Sequence, residues 1–395
     1  MKKLVSVLFI VMCLFSQETR VISMGGIGNF MEDFSNIHTY SGSILKHDNF
    51  ASIEIGSPKD FDTYSFTTKF NINESSAISI FLNRPVSANL SGMFNLSSSL
   101  ELKKQSEIYY SIATEDKAML SFGVLFGGDG TNLTLDQSGK TIERSTSVSD
   151  FGIRTGFSNG FLDADIQYHF LNASSKDDDG NDATTNDPNN TLSGGTFLST
   201  FRIKSELSSK LSFFGVTHFR NAKNTYDEEN TLNFFERKYS HIAFGLGAGF
   251  NYSLNDQNIF VAAVELYSFR NYKTATSDEV SDRETERYYI QYPSLYFGVE
   301  SFISKYFVAR AGINQTYLKS GNKSDINYID ENRNDRSSDA SSFSSDFSSV
   351  FGLGLHFENF KLDFLFNEGL LFKGPNFLTG ADEDVSSRMS VSYLF

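Results

Sequence analysis

Apolar and polar residues alternate with a period of two in a series of segments along the chain, which marks strands with one apolar face. Leu162, Ala164, Ile166, Tyr168 and Phe170 form one such face, with Asp163, Asp165, Gln167 and His169 opposite. Ile242, Phe244, Leu246, Ala248, Phe250 and Tyr252 alternate with His241, Ala243, Gly245, Gly247, Gly249 and Asn251. The same holds for Phe351, Leu353, Leu355 and Phe357, and for Phe360, Leu362, Phe364 and Phe366. Helical spacing fits none of these stretches. Short connections fall at 73–76, 114–117, 158–160, 207–210, 253–257, 303–305 and 358–359. Between them lie long polar stretches at 84–104, 127–147, 172–195, 220–238, 271–291, 319–345 and 369–386, which are expected to be loops. Tight turns alternating with long loops are the pattern of a transmembrane barrel with periplasmic turns and extracellular loops. A soluble sandwich has no reason to gather its long loops at one end.

Counting from the turns gives fourteen strands, a closing strand at 386–395, and a first strand at 49–57 joined through 58–62. The register around 85–102 is ambiguous, so fourteen stays open beside sixteen. The expected fold class is all-β: a transmembrane antiparallel β-barrel of about 14–16 strands with a short N-terminal plug. Either number encloses a lumen too wide for side chains alone to fill.

Both ends of the chain agree with this reading. Met389, Val391, Tyr393 and Phe395 share one face of the last stretch. A barrel in lipid must pair its last strand, because an open edge leaves backbone groups unsatisfied. The ending at Phe395 resembles the carboxy-terminal signal strand of bacterial outer-membrane proteins, which implies recognition by the barrel assembly machinery. At the other end, Met1-Lys2-Lys3 precedes a 12-residue apolar run at 4–15, broken only by Ser6. Residues 1–16 therefore read as a secretory signal peptide, and the run is too short to span a bilayer as a helix. The one cysteine, Cys13, lies inside it and follows the bulky Met12, which disfavours a lipoprotein site. A mature chain without cysteine has neither disulfide nor thiolate metal site. The expected location is the bacterial outer membrane, with its lipid as the surroundings.

Composition sharpens the picture. Pro is scarce at 5, as long ladders require, and Phe 40 with Tyr 18 is a high aromatic share. Tyr109-Tyr110, Tyr288-Tyr289 and Tyr292 are expected to form interfacial girdles, with ordinary packing as the alternative. The formal net charge of −14 argues against nucleic acid as a partner and suits acidic, solvated loops.

Residues 17–48 are too polar for a strand pair, and contain Ser23-Met24-Gly25-Gly26-Ile27-Gly28 and then Glu32-Asp33-Phe34-Ser35. Gly25, Gly26 and Gly28 permit close backbone approach and unusual dihedrals. No Lys-Ser/Thr follows, so a phosphate loop is excluded. A Met-Gly-Gly start, a short spacer and an acidic residue beside a Ser resemble the beginning of the fatty-acid-transporter-like outer-membrane family. That family includes fatty-acid and hydrocarbon channels and barrels of Bacteroidota secretion systems. The resemblance implies a plug inside the barrel, built around Met24, Gly25, Gly26, Gly28 and Asp33. The family's Asn-Pro-Ala motif is replaced here by Ile37-His38-Thr39-Tyr40-Ser41-Gly42-Ser43.

Charges on the lipid face are costly, so the polar faces must point inward. The expected lumen lining is Asp163, Asp165, His169, Arg202, Lys204, Glu206, His241, Arg310, Asn314, His356, Lys361 and Asp363. It reads as a salt-bridged structural wall or as a selectivity lining. Gly245, Gly247, Gly249, Gly352 and Gly354 face the same way and leave room for the plug. Asp177, Asp179 and Asp182 are weak Ca²⁺ candidates, since close oxygen ligands suit Ca²⁺ but the EF-hand register is missing. Asp330, Asn332 and Asp335 are weaker ones. His218 is the single candidate for a lipid-facing hydrolase, without an evident nucleophile. No metal or cofactor is expected. The expected function is passage of small solutes across the outer membrane without chemistry. Hydrophobic compounds come first by resemblance, and a general porin is equally compatible with the polar lumen. The alternative is a docking barrel whose loops bind a protein partner.

Overall fold

The computed structural model describes residues 18–56, 64–85, 104–137, 140–178, 189–230, 233–255, 257–277, 281–328, 335–366 and 386–395. Among them, sixteen strands form one closed antiparallel sheet in chain order. They are β1 (Phe50–Gly56), β2 (Ser65–Asn73), β3 (Ser76–Pro85), β4 (Lys104–Ala113), β5 (Met119–Gln137), β6 (Lys140–Ser158), β7 (Leu162–Asp178) and β8 (Asn189–Ser208). The ring continues with β9 (Leu211–Asn230), β10 (Asn233–Asn255), β11 (Asn258–Ser277), β12 (Ser281–Phe302), β13 (Phe307–Tyr328), β14 (Arg336–Phe357), β15 (Phe360–Phe366) and β16 (Ser386–Leu394). Closure is made by β1 and β16, paired from Phe50↔Leu394 to Gly56↔Arg388. The Phe395 amide donates to the Asn49 carbonyl at 3.0 Å. The open choice between fourteen and sixteen strands is thereby settled, since β3 and β4 pair through Ile80↔Ile108. The expected leader at 1–16 and the link at 58–62 lie outside the described residues.

The polar stretches expected as loops at 127–147, 172–195, 220–238, 271–291 and 319–345 are strand almost throughout where they are described, and those at 84–104 and 369–386 fall almost wholly outside the described residues. β5 and β6 stay paired from Met119↔Ser158 to Gln137↔Lys140. β9 and β10 continue to Asn233↔Asn230, and β12 and β13 to Ser281↔Tyr328. β10 alone runs for 23 residues, about twice the 9–11 that a tilted strand needs to cross a bilayer. Beyond the hydrocarbon both faces meet water, so apolar alternation fades while backbone pairing persists. Periodicity therefore marks the belt and misses the extensions.

Phe122, Val124 and Phe126 on β5, and Phe244, Leu246 and Phe250 on β10, are large apolar side chains left exposed on the outer surface. A belt of this size in water would be an aggregation site, whereas in hydrocarbon it is at rest. The expected tyrosine girdle splits, because neighbouring strand residues take opposite faces. Tyr110 is exposed and Tyr109 is buried inward. Tyr289 likewise lines a luminal cavity, and Tyr292 is exposed.

Residues ahead of β1 occupy the lumen at the end marked by the short turns. They form α1 (Glu18–Ser23) and three 3-10 turns at Gly28–Phe30, Phe34–His38 and Ser41–Lys46. Asp33 caps the second turn, its carboxylate accepting from the Ser35 amide at 2.9 Å. Met24, Ile27 and Met31 pack on inward-facing Val261. Phe30 covers Val216 and Ala263, and Ile37 and Ile44 cover Phe50, Phe81 and Tyr109. These wall positions are apolar because the luminal segment, not water, is their neighbour.

The belt assignment predicts that Leu246→Arg, at mid-height on the outer face of β10, destabilises the barrel by about 2–4 kcal/mol. Lys273→Arg, on the polar extension of β11, should leave stability unchanged. Denaturant unfolding in lipid vesicles measures both.

Candidate functional site

The luminal segment is held by arginine–carboxylate contacts that need residues from both partners. On one side Arg20 of α1 donates Nε and Nη2 to the Glu300 carboxylate, each at 2.8 Å, and also pairs with Asp33. Glu300 is shared with Arg310 at 2.6 Å, and Arg310 reaches Asp363 at 2.6 Å. His356 Nε2 lies 3.1 Å from the same Asp363 oxygen. On the opposite side Arg154 pairs with Asp165 at 2.6 Å and donates to the His38 carbonyl at 2.9 Å. Asp165 also accepts from the Ser41 amide at 2.9 Å and its hydroxyl at 2.6 Å. Glu107 completes this cluster with Arg84 at 2.9 Å, Arg154 at 3.5 Å and the Tyr109 hydroxyl. A third set joins Arg202 to Asp163 at 2.7 Å and to the Met31 carbonyl at 2.8 Å. The Arg202 guanidinium also lies 4.3 Å over the Tyr40 ring, and Lys46 reaches Asp163 at 3.1 Å. Glu107, Arg154, Asp163, Asp165, Arg202, Glu300, Arg310 and Asp363 are almost fully buried, so leaving any one of them unpaired costs about 3–5 kcal/mol, whereas Arg20, Lys46 and His356 keep some solvent contact.

Backbone contact completes the fit. Gly25 and Gly26 adopt φ of 88° and 77°, a region open to glycine at little cost. A Cβ on Gly312 would strike the backbone of Met24 and Gly25, and one on Gly42 would strike that of Phe157. Gly247 and Gly249 lie against Phe30 and Gly352 against Ser23, whereas Gly245 lies against His218 and Gly354 against Asp363. Gly28 packs within the segment on Val21.

The expected lining thus divides by role. Asp163, Asp165, Arg202, Arg310, Asp363 and His356 belong to the clamp, and Lys204 joins it by reaching Glu32 at 2.7 Å. Glu206 lies 3.5 Å from Lys204 and is exposed. His169 is fixed inside the wall by Asp150 at 2.8 Å and Gln167 at 3.2 Å. Asn314 shares a register level with Tyr296 and Ser348. Lys361 lines a cavity of about 670 Å³ at the turn end, beneath the luminal segment. His241 and His218 line another of about 460 Å³ above it, so His218 faces the lumen rather than lipid. Asp177 lies at the end of β7, while Asp179, Asp182, Asp330 and Asn332 fall outside the described residues. Asp335 accepts from the Tyr328 amide at 3.0 Å. Among the described residues, no three His, Asp or Glu side chains are grouped to hold a metal.

Sequence reasoning missed Arg20 and Glu300 of the first set, Arg84, Glu107 and Arg154 of the second, and Lys46 of the third. It also missed the basic lining further up, where Arg237, Arg270, Arg283 and Arg287 surround a cavity of about 550 Å³. The parity of Arg154, opposite Phe151 and Ile153 in β6, was the available signal for that residue.

The closed sheet, the outward apolar belt and the filled lumen define the class as a β-barrel of outer-membrane type with an internal N-terminal segment. Protein-family models and curated proteins contain no match to this chain. Solved structures similar to it include a FadL homologue from Pseudomonas aeruginosa, at 9% identity over 95% of this chain and 98% of that one, TM-score 0.38. The Pseudomonas putida toluene transporter TodX matches at 9% identity over 80% and 97%, TM-score 0.28. The alcaligin outer-membrane receptor FauA from Bordetella pertussis matches at 8% over 88% and 75%, TM-score 0.36.

Two histidines of the luminal segment make its seating sensitive to acid. Burial lowers the His47 pKa from 6.5 to about 4. Burial, reinforced by Arg84 and Arg154, takes His38 well below its ordinary value. A depressed folded-state pKa contributes stability that is complete above pH 6.5 and lost as pH falls through the folded value. The chain has Trp 0, so Phe34→Trp places a unique reporter beside His47. Its emission should shift to the red between pH 6.5 and about 4. Emission unchanged across that window would contradict the assignment.

Proposed function

We propose that this chain is an outer-membrane channel for small solutes whose lumen is closed at the periplasmic end by its N-terminal segment acting as a plug. The observation that carries the reading is the distribution of space. Cavities of about 550 Å³ and 460 Å³ lie above the segment and one of about 670 Å³ lies beneath it. The segment between them is joined to the wall through the chain at Asn49–Phe50 and is otherwise held by non-covalent contacts. Passage needs no chemical step, only release of these contacts. The polar lining of all three cavities favours water-soluble cargo over the hydrophobic compounds suggested by resemblance. Insertion would follow recognition of β16 by the barrel assembly machinery.

A docking barrel is the second reading, and the density of buried ion pairs around the plug favours it. Single-channel recording in planar bilayers separates the two. Gly42→Leu pushes the plug from the Phe157 backbone without altering the wall. The channel reading predicts a silent or barely conducting intact protein and discrete steps in Gly42→Leu. Silence in both, with the variant's plug shown to be displaced, would leave the docking reading.

A further inference from the structure

The upper lumen carries a charge pattern that the plug does not use. In register across β10, β11 and β12, Arg237, Thr276 and Arg283 share one level. His241, Tyr272 and Arg287 share another, and Ala243, Arg270 and Tyr289 the next, with Arg220 of β9 alongside Ala243. Neighbouring inward residues on a strand are about 7 Å apart, so cationic groups recur at short intervals down one wall. Arg270 lines both cavities above the plug and makes them one track. Neither cavity has an Asp or Glu among its described lining residues, in a chain whose formal net charge is −14. The inward carboxylate of β11, Glu265, is engaged by a Tyr296 hydrogen bond.

The arginines differ in what they already do. Arg270 donates to Gln291 at 3.2 Å, and Arg237 to the Tyr239 hydroxyl at 3.1 Å. Among the described residues Arg283 and Arg287 have no carboxylate at ion-pair distance, and both are exposed to the lumen. A second observation points the same way. His241 is 3% exposed, lines the lower cavity, and neither ring nitrogen has a hydrogen-bond partner. Its ring is held in place by stacking on Tyr272 at 4.3 Å. Guanidinium groups around a cavity with no carboxylate among its described lining residues select oxyanions by paired N–H donation, and a walled cleft concentrates the field.

We propose that this track is a binding site for a multiply charged oxyanion of the phosphate type, carried on a small water-soluble solute. As a statement about cargo it rests on the channel reading, but binding itself does not. Arg283 and Arg287 form its entry, and Arg270, Arg220 and His241 its floor above the plug. The apolar stretch of Val148, Leu171, Leu192 and Leu198 on β6–β8 faces the same lumen and gives room for an uncharged body.

Isothermal titration of the full-length refolded barrel in zwitterionic detergent tests the site without requiring transport. Inorganic pyrophosphate and, separately, laurate are the probes. Pyrophosphate should bind the wild type, weaken as salt is raised, and lose about tenfold or more in affinity in Arg283→Gln/Arg287→Gln. Arg283→Lys/Arg287→Lys should recover part of the loss, and both variants should keep the heat-modifiable mobility of a folded barrel. Absence of pyrophosphate binding, or binding indifferent to the Gln pair, overturns the proposal. Laurate binding that is lost in the Gln pair also overturns it, by assigning the track to a monoanionic amphiphile. Conducting Gly42→Leu channels without pyrophosphate binding would remove this inference and leave the channel reading standing. Pyrophosphate binding to a barrel that never conducts would do the reverse.

Discussion

Inward-pointing arginines that find carboxylates on another element hold this molecule in one arrangement. A lipid-facing wall forces every charge in the belt to the inside, where it must meet water or a counter-charge. In the lower lumen it meets the N-terminal segment. Glu300 lies between Arg20 of that segment and Arg310 of the wall, and Asp165 between Ser41 and Arg154. Removing the segment would leave Arg310–Glu300–Asp363 and Arg154–Asp165 partly unsatisfied, and uncover Val261, Phe81 and Val216. The N-terminal segment and the wall are therefore one folding unit in this region.

The same constraint explains why the two ends of the lumen differ. Below, opposite charges are interleaved and neutralised in contact. Above, on β9–β12, the described lining of both cavities is basic and holds no Asp or Glu, and Tyr272 and Tyr289 share levels with Arg287 and Arg270. A barrel gains no stability from such a wall, since like charges repel. The oxyanion proposed above would neutralise such a wall.

What could be read from the chain follows from how local each signal is. The outward faces of β7, β10, β14 and β15 were visible because a period of two in Leu162–Phe170 or Ile242–Tyr252 needs no partner. Inward Asp163, Asp165, Arg202, Arg310 and Asp363 followed by elimination. Arg20 and Glu300, which tie the segment to the wall, did not, since they are 280 residues apart and nothing local announces the pair. The strand extensions were invisible because polar residues occupy both faces there. The basic track was hidden for a different reason. β11 skips Leu266 in its register with β10, and β12 skips Tyr292 and Pro293 in its register with β13. Proline cannot donate to a ladder, and each irregularity resets which residues face inward. Parity counted from Glu265 or Ser294 therefore assigns Arg270, Arg283 and Arg287 to the wrong side.

The most direct test of the clamp is hydrogen exchange of the luminal segment in the folded barrel. The Ser41 amide, which donates to Asp165 at 2.9 Å, and the amides of Met24 and Phe30, within the hydrogen-bonded turns, should exchange as slowly as those of the barrel strands. Exchange at the rate of an unfolded chain in an otherwise protected barrel would contradict the account.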